Sequence, residues 1–301
     1  MLIGLLIPTL ILTIRRLMDI TVSGRHDVEE ATTIPLVGEL PTWEEGGDDG
    51  LITTCSSDAP IVEAFRMLRY GLNFMRHSAK VCVVTSSTPG QGKSFISRNL
   101  AAIMGMANKR VLLVDADIRK RTLSSKFGRS NGLTGWLVDE EEKLSLDEII
   151  IKDGVAKQVD FLPAGMLPPN PSELLMSSRL EALVEEAREL YDFIIIDTTP
   201  ILAVSDASIV DRVADVTLFV IRVGVQVRAF LPELEKMNKD KKYRHLCIAL
   251  NDVDVKAKYG YGYGYGYGYG YGNYSYGYGE QYNNRKSKKK LSGRLLSKLR
   301  K

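Results

Sequence analysis

Apolar and polar positions change rhythm repeatedly along this 301-residue chain, and each change marks an element. Unbroken apolar runs recur at Val81 to Val84, Arg110 to Asp115, Phe193 to Ile196, Val216 to Arg222 and Leu246 to Asn251. Such runs are the pattern of strands covered on both faces. Between them the spacing becomes helical. Phe65, Leu68, Leu72 and Met75 mark one apolar face of a helix beginning near Ile61, and Ile96 to Met104, Pro171 to Leu190 and Leu231 to Asp240 read as further helices. Strands alternating with helices predict an α/β fold with a mostly parallel sheet flanked by helices.

The ends do not share this pattern. Met1 to Ile14 is almost wholly apolar, but as a helix it spans only about 21 Å, short of the roughly 20 residues a bilayer core needs. Arg15 and Arg16 follow, which by the positive-inside rule leaves the rest on the cytoplasmic side. Residues 1–18 are therefore expected to associate with the membrane, a buried core helix being the second reading. Residues 19–50 read as a spacer, with a Pro35-Leu36-Val37-Gly38 turn and a Gly/Asp run at Gly46 to Gly50. The folded domain is expected over 51–258. From 259 to 284 Tyr alternates with Gly, holding eleven of the chain's fourteen tyrosines. Glycine at every second place and no aliphatic residues predict a disordered tail, readable as a sticky aromatic linker or as a set of phosphate acceptors. In 285–301, nine Lys/Arg and no acid accompany Leu291, Leu295, Leu296 and Leu299. That end is either a short amphipathic helix on anionic lipid or a disordered basic terminus.

Composition adds bounds. At 45% hydrophobic and 26% charged there is material for one large domain with appendages, and a net charge of +3 by itself selects no partner. Cys55, Cys82 and Cys247 have no metal or redox spacing; the last two lie in apolar runs, as buried thiols in a reducing cytosol would. His26, His77 and His245 are scattered and suggest neither a zinc site nor a catalytic triad.

The chemistry concentrates in Val81 to Ser94, VCVVTSSTPGQGKS. A phosphate chain needs approachable backbone N–H groups, a cation and a metal-binding hydroxyl at a helix start. Gly90 and Gly92 clear the backbone, Lys93 would reach the β- and γ-phosphates, and Ser94 would hold Mg²⁺. Ser87 stands where the G-x-x-x-x-G-K-[ST] pattern has its first glycine. The apolar strand at 110–115 ends in Asp115-Ala116-Asp117, and that at 193–196 in Asp197, so three strands deliver Lys93, Asp115, Asp117 and Asp197 to the sheet edge where open α/β sheets bind ligands. Together these define a P-loop NTPase-like expectation. Asn170, Pro171 and Glu173 are a helix start with a capping box, and a place beside the nucleotide is the second reading. Asn251 and Asp252, at a strand end, are weaker candidates for the adenine side. Glu63, Arg66 and Arg69 recur every three residues, which on spacing alone favours a solvated, ion-paired face.

With EAFRMLR at 63–69, VDADIRK at 114–120, PPNPSELL at 168–175, IIIDTTP at 194–200, the phosphate loop and the tyrosine cluster, the chain resembles the bacterial tyrosine kinases of capsule and exopolysaccharide synthesis. These are the cytoplasmic part of membrane-bound polysaccharide co-polymerases. The segment GLLIPTLILTIRRLMD resembles the end of that family's second transmembrane helix. Met1 then stands where the family already has a first transmembrane helix and an extracytoplasmic domain, so the sequence is either a fragment or a form whose spanning partner is a separate chain. The resemblance implies ATP and Mg²⁺ as cofactors. Pro89, Gly90, Gln91, Gly92, Lys93, Ser94 and Phe95 would bind nucleotide, Ser94, Asp115 and Asp197 the metal, and Lys93, Asp115, Asp117 and Asp197 would act in catalysis. It further implies subunit contact in a ring through Glu63, Arg66 and Arg69. The phosphate acceptors would be Tyr259, Tyr261, Tyr263, Tyr265, Tyr267, Tyr269, Tyr271, Tyr274, Tyr276, Tyr278 and Tyr282. Expected partners are other copies of the chain, polysaccharide polymerase and export proteins, a phosphotyrosine phosphatase and inner-membrane lipid, with no nucleic acid. Thr199 departs from the proline common there in the family. Two rivals stand beside this reading: a partitioning or positioning ATPase, which shares the fold and is usually marked by an extra lysine where this chain has Ser86 and Ser87, and, from a different class, a non-catalytic ATP-binding regulator of a polysaccharide export complex.

Overall fold

The structure is a computed structural model and describes residues 20–43, 50–126, 131–139, 141 and 143–254. The membrane segment, the tyrosine-rich tail and the basic end expected from the sequence lie outside those residues.

Eight strands form one sheet: β1 (Leu36–Pro41), β2 (Val81–Ser86), β3 (Val111–Asp115), β4 (Ile151–Ala156), β5 (Val159–Leu162), β6 (Phe193–Asp197), β7 (Val216–Arg222) and β8 (Leu246–Val253). Their order is β1-β8-β7-β2-β6-β3-β5-β4, parallel throughout except for the β4–β5 pair. The helices are α1 (Arg25–Ala31), α2 (Pro60–Met75), α3 (Lys93–Met106), α4 (Leu133–Val138), α5 (Leu146–Ile149), α6 (Pro171–Met176), α7 (Arg179–Leu190), α8 (Asp206–Val210) and α9 (Leu231–Lys239).

The unbroken apolar runs have a simple cause. Alternate residues of a strand point to opposite faces, and here both faces are covered. Cys82, Val84, Leu113 and Ile195 enter one core, with Phe65, Leu68 and Leu72 of α2 and Leu100 of α3. Val81, Val83, Leu112 and Ile196 enter a second, with Leu183 and Val184 of α7. A third core joins Phe219, Ile221 and Ile248 to Leu231 and Leu234 of α9.

The stretch read as a spacer joins the fold instead. Val22, Val28 and Ile34 are buried in the third core, and β1 pairs in parallel with β8, with Leu36 opposite Ile248 and Glu39 opposite Leu250. Gly38 and two prolines hid this strand, yet the glycines are what let α2 approach it: a Cβ on Gly71 would lie 2.5 Å from the Val37 carbonyl oxygen. The helix expected over 171–190 is two helices. Arg212 accounts for the break, donating to the carbonyls of Leu175 (2.6 Å) and Ser177 (2.8 Å), which a continuous helix would keep for itself. The capping box at Asn170 is absent. The Asn170 amide nitrogen donates to the Glu173 side chain at 2.7 Å, and the Asn170 side-chain oxygen accepts no backbone N–H of the helix. Among the described residues no helix is long and apolar enough to cross a membrane.

Candidate active site

The site begins where β2 stops. The chain leaves the sheet at Ser86, turns through residues 87–92 and enters α3 at Lys93. Gly90 and Gly92 have φ of 85° and 93°, the left-handed region that costs residues with a Cβ. At Gly92 a Cβ would also sit 2.1 Å from the Asn251 side-chain nitrogen, whereas at Gly90 it would meet nothing within 4 Å. Glycine at 92 is thus favoured by its backbone conformation, and a Cβ there would also displace the Asn251 side chain from the Gln91 carbonyl. At 90 glycine leaves the backbone open to whatever lies above it.

Three adjacent strands then place the charges. In register, Val84 of β2 lies opposite Asp197 of β6, and Asp197 opposite Asp115 of β3. Lys93, Asp115, Asp117 and Asp197 are all buried. Ser94 donates to one Asp197 oxygen at 2.7 Å and Ser97 to the other at 2.9 Å. One Asp115 oxygen accepts from the hydroxyl (2.6 Å) and backbone N–H (2.9 Å) of Ser124, and the other from the Asp117 N–H at 3.2 Å. Lys120 N–H in turn donates to Asp117 at 3.0 Å.

Burial is the main reason both strand-end acids hold their protons more tightly than usual. Asp115 is pushed up to about 7, with the neighbouring charges of Asp197 and Asp117 adding to the effect and the Ser124 hydrogen bonds opposing it. Asp197 is raised to about 6 by burial, restrained by Lys93, Ser94 and Ser97. A cation arriving at this buried acid set would favour its ionised form. Among the described residues no three His, Cys, Asp or Glu side chains are grouped to hold a metal by themselves. Mg²⁺ needs no such cage, because it retains waters and takes one or two carboxylates together with substrate phosphates. The oxygen donors Ser94, Asp197 and Asp115 fit that ion.

Some residues expected at the nucleotide point elsewhere. The Phe95 ring packs against Trp43 and Phe65, with centroids 5.7 and 5.9 Å away. The Gln91 side chain is buried and accepts from the Arg222 N–H at 2.6 Å. Only the backbones of these two residues remain for a ligand. Asn251 donates to the Gln91 carbonyl at 3.0 Å, and Asp252 pairs with Arg222 at 2.9 Å. Glu63 and Arg66 form an ion pair at 3.0 Å on α2, and Arg69 reaches the Ile103 carbonyl at 3.4 Å, all three apart from the acid cluster. Ser97 and Ser124 were missed because a serine inside a helix or loop carries no signal until the fold places it beside a carboxylate.

A parallel sheet whose glycine-rich turn opens a helix, with buried acids on the neighbouring strand ends, defines a P-loop NTPase-like nucleotide-binding domain. The AAA domain family profile matches residues 79–239. EpsB of Ralstonia solanacearum is 38% identical over 218 residues, 69% of this chain and 28% of EpsB. Tyrosine-protein kinase YwqD of Bacillus subtilis is 41% identical over 166 residues, 54% of this chain and 68% of YwqD. The solved kinase domain of Escherichia coli tyrosine kinase ETK superposes with a TM-score of 0.66 at 30% identity, covering 84% of this chain and 98% of that domain. The chain belongs to the bacterial tyrosine-protein kinase family. It spans less than a third of the length of the first curated relatives it matches.

Proposed function

We propose that this chain is an ATP-dependent protein-tyrosine kinase that phosphorylates the tyrosines of 259–282, mainly between neighbouring copies, and so regulates capsular or exopolysaccharide polymerisation and export. The observation that carries this reading is the convergence of Lys93, Ser94, Asp115, Asp117 and Asp197 on adjacent strand ends, in a chain that also supplies eleven tyrosines within 24 residues.

Phosphoryl transfer is chiefly positioning and charge stabilisation. A tyrosine oxygen bonds to the γ-phosphorus as the bond to the bridging oxygen breaks, ADP leaves with that electron pair, and the phenolic proton passes to Asp115. With a carboxyl raised to about 7, Asp115 is matched to that exchange near neutral pH. Lys93 and the N–H groups of 90–95 hold the phosphates. Mg²⁺ would be held by Ser94 and Asp197, with Asp117 ordering its waters, and would supply neutralisation of phosphate charge, which leaves Asp115 free to take the proton. Glu63, Arg66 and Arg69 contribute the contact between copies in a ring. The domain is taken as 51–258, extended by the packed residues from 20 onward, with 1–18 holding it at the cytoplasmic face of the inner membrane beside polymerase and export proteins. A phosphatase returns the tail to its starting state.

Purified protein incubated with γ-labelled ATP tests this. Label on tail tyrosines, mapped by mass spectrometry, is the expected result. Free phosphate without labelled protein would identify an ATPase, and neither product a regulator. Lys93→Ala should lower labelling by about 100-fold or more.

A further inference from the structure

Ser87, the position that departs from the phosphate-loop pattern, is fully buried, and its hydroxyl donates to the side-chain oxygen of Gln226. That oxygen is shared. Gln91, at the other end of the turn, donates to it at 3.4 Å and to the Thr88 hydroxyl at 3.1 Å. Gln91 is clamped from its other side by the Arg222 N–H, and the Arg222 guanidinium donates to the Gly90 carbonyl at 3.2 Å. Gln226 itself is buried and has little freedom. Its side-chain nitrogen donates to the Val227 carbonyl at 3.1 Å, its N–H to the Arg222 carbonyl at 3.0 Å, and its carbonyl accepts from the Val22 N–H at 2.7 Å.

We infer that Gln226 is a positioning residue of the phosphate loop, holding residues 87–92 open for a nucleoside triphosphate by serving as the shared acceptor for Ser87 and Gln91. The inference rests on the nucleotide-binding part of the proposed function. A loop that leaves its backbone N–H groups free for phosphate cannot be held by those groups, so side chains must fix it, and the Gln91–Thr88 contact within the loop is anchored from outside only through Gln226 and Arg222. Buried polar side chains do this at low entropic cost when each is satisfied. The serine that replaces the pattern's glycine brings a hydroxyl into a buried place, and Gln226 is its partner. Gln226 touches no reacting atom, so its removal should weaken nucleotide binding while leaving the transfer step nearly as it was.

The test is titration of the full chain with Mg·ATP and Mg·ADP by calorimetry, together with tail-labelling rates, for wild type, Gln226→Leu, Ser87→Ala and the double variant. Expected are a loss of about tenfold in affinity for both nucleotides in Gln226→Leu, equivalent to about 1.4 kcal/mol, a raised KM for ATP and a kcat within about twofold of wild type. In the Ser87→Ala background the Gln226 change should cost measurably less, because the two act through one contact. Unchanged affinity in Gln226→Leu, a fall confined to kcat, or strictly additive losses would overturn the assignment. If Gln226→Leu does not fold, Ser87→Ala alone decides: the same KM shift supports the role and wild-type affinity refutes it. Failure of the wild-type chain to bind Mg·ATP would remove the functional reading and this inference together. Normal wild-type binding with an indifferent Gln226 removes the inference alone.

Discussion

Asp115 and Asp197 occupy opposed register positions on the adjacent parallel strands β3 and β6, both buried, one raised to about 7 and the other to about 6. Unfolded, each would titrate near 3.8. Between these values the folded chain binds more protons than the unfolded one, so this pair's stabilisation is complete below about pH 4 and is lost as pH rises through 6 to 7. The thermal midpoint of the nucleotide-free protein should therefore fall between pH 5 and pH 8. Asp197→Asn should flatten that slope, and so should Mg·ATP, which favours the ionised pair. A midpoint that climbs with pH over this range would contradict the assigned environment.

Ser124 gives a separate handle on the same chemistry. Its hydroxyl, 2.6 Å from Asp115, favours the carboxylate. Ser124→Ala should raise the Asp115 carboxyl further and move the acidic limb of the labelling-rate profile to higher pH, with the plateau rate reached only under more alkaline conditions. A profile that stays in place while the rate drops uniformly would make Ser124 structural only.

The legibility of these features in the sequence followed their range. Local signals were read directly: the apolar runs of β2, β3 and β6, the glycines at 90 and 92, and the acids that end β3 and β6. Each of these depends on neighbours along the chain or on a strand buried on both faces. What escaped depends on distant partners. β1 was hidden because Gly38 and Pro41 carry turn signals, and its reason for being a strand is β8, more than 200 residues away. The break after Met176 was invisible because Arg212, just past the end of α8, supplies it from a distant part of the chain. Ser87 could be flagged as odd, but its partner Gln226 lies 139 positions along.

Gly71 tests the newly found edge of the sheet. Its missing side chain lets α2 lie against β1, and the nearest obstacle to a Cβ is backbone, the Val37 oxygen at 2.5 Å, which cannot rotate away. Gly71→Ala should destabilise the domain by about 1–3 kcal/mol in urea unfolding, despite its better helix propensity. An unchanged or higher midpoint would mean that β1 yields easily.

The tail gives the last prediction, and it follows from charge. Each phosphotyrosine adds about −1.5 to −2 charges at neutral pH, and the last 17 residues carry nine Lys/Arg with no acid. Five or so phosphates would therefore cancel the basic end and then reverse it. On the reading of that end as a helix on anionic lipid it adds to the attachment made by 1–18, and copies in the proposed ring bring their tails near one another, so phosphorylation should loosen both associations. Full-length protein treated with ATP should sediment as a smaller species and float less with phosphatidylglycerol vesicles than the same protein treated with phosphatase. The difference should shrink as salt rises, because screening at about 8 Å under physiological ionic strength weakens exposed charges first. Equal oligomer size and equal vesicle binding in the two forms, measured at low salt, would rule the switch out.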